Sequence, residues 1–243
     1  MLTELDVIKN QKWFYEFSLP DGTKTESYLS EEARQIHTTR EKILREYLDS
    51  ANNKTKTAFD ISCHEGYFTL ILSDYFERVI GVDKNANSLE KARQIAKFKN
   101  GSDIEFVNSP FELWNEPKSA EFVLCFGLLY HIENPIQILR KLANITIKTL
   151  CLETQVLPFN FSGFVEDGSY QWQRKLNGIF GLCADYSESP EGGLSNLALI
   201  PSKEGLDFLL REFGFQKVNF HQAETKDYEQ FTRGHRVVIF AEK

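Results

Sequence analysis

The sequence predicts an α/β fold of the Rossmann type, a mostly parallel sheet with an antiparallel last strand, preceded by an N-terminal extension and carrying an insertion after the fifth strand. Three observations lead there. Between Thr57 and Glu153, short β-rich runs alternate with amphipathic segments, the pattern of a parallel sheet with helices on both faces. The run Thr57-Ala58-Phe59-Asp60-Ile61-Ser62-Cys63-His64-Glu65-Gly66-Tyr67-Phe68 passes from an apolar strand through a small-residue turn into a helix. Two β-rich runs, Lys217–His221 and Arg236–Ala241, close the chain, and strands joined without a helix pair antiparallel.

Residues 1–56 read as the extension, with an aromatic strand-like run at Trp13-Phe14-Tyr15-Glu16-Phe17, a turn at Pro20-Asp21-Gly22 and a helix over Glu31–Leu48. Residues 57–243 read as the main domain. Its strands fall at Thr57–Ser62, Arg78–Val82, Ile104–Val107, Phe122–Phe126 and Thr149–Glu153. Helices fall at Tyr67–Asp74, Ser88–Lys97 and Pro135–Ala143, the last two opened by Ser88 and Pro135. Helix-spaced Ile136, Leu139 and Leu142 read as core. Residues 155–200 form an insertion rich in Phe, Tyr and Trp among glycines and prolines, expected as a lid or pocket wall, with an aromatic-packed helical subdomain as the alternative. Ser202 is then expected to cap a helix over Lys203–Phe213, and Gly214 to stop it.

The 243 residues suffice for one core without disulfides or metals. A net charge of −7 argues against a broad nucleic-acid footprint, which needs clustered Lys and Arg. Cys63, Cys125, Cys151 and Cys183 stand far apart with no Cys-x-x-Cys spacing, so neither a zinc site nor a disulfide framework is indicated. No run resembles a signal peptide or reaches membrane-spanning length, and a soluble, cytoplasmic protein is expected.

The turn after Asp60 usually reads Asp-x-Gly-x-Gly-x-Gly, because glycine reaches positive φ and admits close approach of a ligand. Here Ser62 and His64 take the first two positions and only Gly66 remains. A second β-branched run, Val79-Ile80-Gly81-Val82-Asp83, ends in an acid able to accept from ribose hydroxyls. An Asp at the end of the first strand, with no Gly-x-Gly-x-x-Gly in register, favours S-adenosylmethionine over a dinucleotide, since no pyrophosphate has to be cradled.

With Cys125-Phe126-Gly127-Leu128-Leu129-Tyr130-His131, Leu152-Glu153-Thr154, Ile200-Pro201-Ser202 and Arg236-Val237-Val238-Ile239-Phe240-Ala241, the chain from about Lys56 onward resembles the class I methyltransferases related to bacterial wobble-uridine tRNA carboxymethyltransferase. The resemblance implies a Rossmann-like class I methyltransferase sheet and S-adenosyl-L-methionine as cofactor. It places Ser62 at the first loop glycine, Asp83, Lys84 and Asn85 at the ribose turn, Pro110 and Phe111 at the adenine, and Phe126 and Tyr130 at the cofactor's reactive end. Arg236 matches an arginine facing the active centre, and the segment with His37 and Arg40 closes over the site. Pro110 stands where many methyltransferases have an Asp, so backbone groups or Asn108 would meet the adenine.

Methyl transfer requires an aligned nucleophile and removal of its proton. His131 has the chemistry of a general base, and Tyr130 can orient substrate or cofactor from just past the fourth strand, where open sheets bind ligands. His131 could instead cap the next helix or meet a backbone carbonyl. His37 is a third catalytic candidate; it shares a helix face with Arg40. Arg40, Arg236 and Trp172 are the candidates to hold the acceptor, with Arg40 in a solvated pair with Glu41 or Glu16 as the alternative. Asp60 is expected at the methionine end of the cofactor, or else to stabilise the following turn. His64 either closes over the cofactor's carboxylate or points into the N-terminal segment. The expected activity is methylation of an oxygen or nitrogen on a small acceptor. Carboxymethyl transfer to tRNA from carboxy-S-adenosylmethionine and non-catalytic nucleoside binding are the alternatives. The acidic charge and the absence of a long basic N-terminal extension argue against tRNA.

Overall fold

The structure, a computed structural model, describes residues 3–51, 55–99, 103–115, 119–167, 172–186 and 192–243. Two compact units emerge, residues up to Cys125 with Lys226–Tyr228, and Phe126–Thr225 with Glu229–Lys243.

The first unit opens with α1 (Glu4–Lys9), held by a capping box between Thr3 and Asp6. The aromatic run is extended as expected, burying Trp13, Tyr15, Phe17 and Leu19 in alternation. Its start pairs as β1 (Lys12–Trp13), parallel to β2 (Glu26–Ser27), and Ser18 forms an antiparallel bridge with Lys24. Helix α2 (Glu31–Ser50) follows, capped by Ser30. Next come β3 (Thr55–Ile61), α3 (Tyr67–Leu72), β4 (Phe76–Asp83), α4 (Ala86–Ala96), β5 (Asp103–Asn108) and β6 (Ala120–Phe126). β3 is flanked in parallel by β4 and β6, and β5 adds to β4. Flanking strands and helices on the faces bury Ala58–Ile61 of β3, Val79–Asp83 of β4 and Phe122–Phe126 of β6, which is why these stretches read as mostly apolar runs. Helix α4 begins before Ser88: Asn85, in extended conformation, accepts the N–H groups of Asn87 and Ser88, leaving Ser88 buried inside the helix.

The second unit holds a 3₁₀ turn at Leu129–His131, α5 (Pro135–Ile145) and β7 (Thr146–Gln155). Pro135 is the first residue of α5 and Asn134 caps it. Leu139 and Leu142 are buried, but Ile136 is 39 % exposed. In the first turn it falls off the buried stripe that continues through Ile138, Leu139, Leu142 and Ala143.

The described residues of the insertion form two antiparallel strand pairs, β8 (Ser162–Asp167) with β9 (Trp172–Asn177) and β10 (Phe180–Ala184) with β11 (Leu197–Pro201), and hold no helix. Phe159, Phe161, Phe164 and Tyr186 are exposed there. Helix α6 (Lys203–Glu212), capped by Ser202, leads to β12 (Lys217–Phe220). A single helical turn, α7 (Glu229–Thr232), unexpected between the final strands, precedes β13 (Arg236–Glu242). β13 is nevertheless antiparallel to both β12 and β7. The strand order of the seven-stranded sheet is β12-β13-β7-β6-β3-β4-β5.

Candidate active site

The turn between β3 and α3 adopts the backbone of a glycine loop without its glycines. Ser62, His64 and Gly66 all have positive φ, at 66°, 51° and 78°. Left-handed conformations are costly for residues with a Cβ, so something must hold Ser62 and His64 there. The N–H groups of Ser62 and Cys63 donate to the Val82 carbonyl at 2.8 and 3.1 Å, and that of His64 donates to the Asp83 carboxylate at 2.8 Å. Gly66 survives for a different reason: a Cβ there would lie 3.0 Å from the Phe106 ring and from Ala92.

Asp83 ends β4 and is 7 % exposed. One of its oxygens accepts from His64 N–H and the other from Asn85 N–H, both at 2.8 Å. An ionised carboxylate has about four acceptor positions, so about two remain for ribose hydroxyls. The donor set and the left-handed loop both fit a nucleoside cofactor. Asn108 adjoins the turn that Asp83 begins. Its amide N–H groups donate to the carbonyls of Asp83 and Lys84, at 3.2 and 2.9 Å, and hold the turn from behind. Phe111 is buried with Trp114, whereas Pro110 is half-buried.

Asp60 does not lie open to a ligand. It is 2 % exposed and accepts the Thr69 hydroxyl at 2.6 Å, tying β3 to α3. Burial pushes its carboxyl up from an ordinary 3.8 to about 7 against that hydrogen bond, and the Asp83 charge adds to the rise. The folded protein therefore binds a proton here that the unfolded chain has lost, so Asp60 subtracts stability as pH rises from about 4 through 7. Thermal denaturation across this window is expected to show Asp60→Asn gaining on the wild type as pH increases; parallel profiles would refute the assignment.

The side chain of His64 points into the N-terminal segment, its ring 4.7 Å from that of Phe14 and 6.0 Å from Tyr15. Glu65, beside it, was not singled out by sequence. Its buried carboxylate accepts from Phe14 N–H at 2.8 Å and Tyr15 N–H at 3.2 Å and pairs with Lys91 at 2.9 Å. His37 and Arg40 do share a face of α2, but it is the buried one. The His37 ring lies 4.6 Å from Tyr15 and 5.0 Å from Phe14, and Arg40 is enclosed rather than solvated.

In the second unit, Phe126 is buried, and Tyr130 and His131 are half-buried in the 3₁₀ turn. Arg236 is not free to grip an acceptor. Its guanidinium is buried, bonds Glu153 at 2.5 Å and Gln230 at 2.9 Å, and stacks 4.8 Å over the Tyr130 ring. Burial works against this charge, yet Glu153 and then Tyr130 hold its pKa above the usual arginine range. The next helix is capped by Asn134 and not by His131, whose Nδ1 lies 2.8 Å from Asp185 Oδ1. Trp172 starts β9, paired with Asp167, and its side chain lies outside the described part of the structure.

The strand order, the left-handed loop after β3 and the acid ending β4 are those of a Rossmann-like methyltransferase fold. Residues 59–149 match the family described as the methyltransferase domain. Ubiquinone biosynthesis O-methyltransferase of Neisseria meningitidis serogroup C (strain 053442) is 32 % identical over 108 residues, 41 % of this chain and 44 % of that protein. The protein of the same description from Aliivibrio fischeri (strain ATCC 700601 / ES114) is 28 % identical over 118 residues, 47 % of this chain and 50 % of its own. The chain thus spans about half the length of these curated relatives. Among solved structures, the N-terminal domain of EvdMO1 with S-adenosylhomocysteine bound superposes with a TM-score of 0.71 at 17 % identity, over 95 % of this chain and 91 % of that one. Magnesium protoporphyrin IX methyltransferase from Synechocystis PCC 6803, with bound S-adenosylmethionine, gives 0.59 at 12 %, over 90 % and 86 %. At such identities the likeness is one of fold. Among the described residues, no helix is long and apolar enough to cross a membrane and no cluster of His, Cys, Asp and Glu could hold a metal.

Proposed function

We propose that this chain transfers a methyl group from S-adenosyl-L-methionine to an oxygen or nitrogen of a small acceptor. The observation that carries the reading is Asp83: a carboxylate oriented by two backbone N–H groups at the rim of a left-handed loop, with acceptor positions left for a ribose. The methyltransferase domain match and the relatives' description as O-methyltransferases support it. When bound, the cofactor supplies an electrophilic methyl on a sulfonium that departs as a neutral thioether. The chain's own residues supply the rest. Asp83 and the Lys84–Asn85 turn hold the nucleoside, Pro110 borders the adenine, and residues 1–56 cover the loop. His131 takes the acceptor's proton, Tyr130 orients the reacting groups, and residues 155–200 stand on the acceptor side.

Carboxymethyl transfer needs a cation for the extra carboxylate, which Arg236 or Arg40 would have to supply; Arg236 is already neutralised by Glu153, and Arg40 is buried. Isothermal titration tests the main reading. Binding of S-adenosylmethionine and S-adenosylhomocysteine with about micromolar Kd, near −8 kcal/mol, is expected. No binding at millimolar ligand would overturn it, and binding without turnover on any hydroxylated or amine acceptor would leave a nucleoside-binding protein.

A further inference from the structure

The ends of β10 and β11 assemble a carboxylate cradle around His131. Asp185, just past β10, places Oδ1 2.8 Å from His131 Nδ1, and its Oδ2 accepts the Gly193 N–H at 2.7 Å. The backbone N–H of Asp185 donates to the Asn196 carbonyl at 2.9 Å, so both side chain and main chain of this residue are held. Gly193 is pressed against the histidine: a Cβ there would fall 2.0 Å from the His131 carbonyl oxygen. The Leu199 N–H then bonds the Ile132 carbonyl at 3.0 Å, fastening β11 to the residue after the histidine.

We propose that Asp185 is a positioning residue that fixes His131 as the Nδ1–H tautomer, leaving the Nε2 lone pair to receive the acceptor's proton. An ionised carboxylate can only accept, so a hydrogen bond to it obliges Nδ1 to carry the hydrogen. Although burial opposes its ionisation, the Gly193 N–H and the His131 ring hold the Asp185 carboxyl below the usual carboxylate range. Its function rests on the methyl-transfer reading. There the proton leaves the acceptor O–H or N–H for Nε2, the freed electron pair forms the bond to the methyl carbon, and the pair of the breaking C–S bond stays on sulfur.

The assignment is tested on the full chain by ¹⁵N NMR of the histidine ring, with His131→Gln identifying the signal and S-adenosylhomocysteine titrated in parallel. In mildly alkaline buffer the wild-type ring is expected with Nδ1 protonated and Nε2 bare, and Asp185→Ala is expected to shift the proton largely to Nε2 while leaving S-adenosylhomocysteine affinity unchanged. A wild-type ring protonated at Nε2 overturns the proposal, and decides it even if the variant does not fold. An Asp185→Ala ring that keeps the wild-type tautomer overturns it too. If the tautomer is as expected but S-adenosylhomocysteine does not bind, the methyl-transfer reading fails and the positioning of His131 by Asp185 stands.

Discussion

Replacing Asp83 with alanine is expected to weaken S-adenosylhomocysteine binding by about 1.5–3 kcal/mol, the cost of losing hydrogen bonds to a charged group. The carboxylate has a second task, since the N–H groups of His64 and Asn85 both donate to it. The variant should therefore also lower the melting temperature without ligand, because two partly buried donors lose their partner. Asp83→Asn separates the two tasks. Its amide nitrogen must face one of those two N–H groups, donor against donor, so it reproduces much of the stability loss while its oxygen still accepts one hydrogen bond. Calorimetric affinity left intact in Asp83→Ala would place the ribose elsewhere.

The largest expected effect on stability comes from Glu153→Ala. Glu153 is fully enclosed, and its partner Arg236 is 5 % exposed. Removing one member of a buried ion pair strands the other charge at a cost of about 3–5 kcal/mol, whereas replacing both by apolar residues of similar volume is often close to neutral. Urea denaturation should find Glu153→Ala strongly destabilised and Glu153→Leu with Arg236→Met substantially recovered. The double variant will not recover fully, because Gln230 also loses its bond to the guanidinium and Tyr130 its stacked cation. A double variant no better than the single would mean the pair is not the source of the loss.

Much of the fold was readable because its signals are local. The central sheet strands announce themselves as apolar runs, the starts of α2, α4, α5 and α6 carry Asn, Ser or Pro, and the turn at Pro20-Asp21-Gly22 lies where its residues demand. Errors were local as well: Ser88 looked like a cap because Asn85, three residues earlier, was read only as part of the ribose turn. The candidate site was harder. Residue types suggested His131, Tyr130 and Asp83, but the partners that decide what these side chains do lie far along the chain. Asp185 stands 54 residues from His131, and Glu65 stands 51 from Phe14. Arg236 looked like a free cation because its neutralising acid lies 83 residues away, on the neighbouring strand β7. No periodicity records such pairings.

The Glu65 clamp bears on how such loops are found. A glycine loop ordinarily owes its left-handed turns to its own composition. Here Ser62 and His64 hold them, while Glu65 and Lys91 fasten the main chain of residues 12–15 alongside. Rigidity comes from β4, whose Val82 and Asp83 hold the loop, and from a stretch upstream of the sheet that Glu65 binds. The loop's shape and its glycine spelling can then drift apart in evolution, and any search that reads only the spelling will pass over members of the fold that keep the shape.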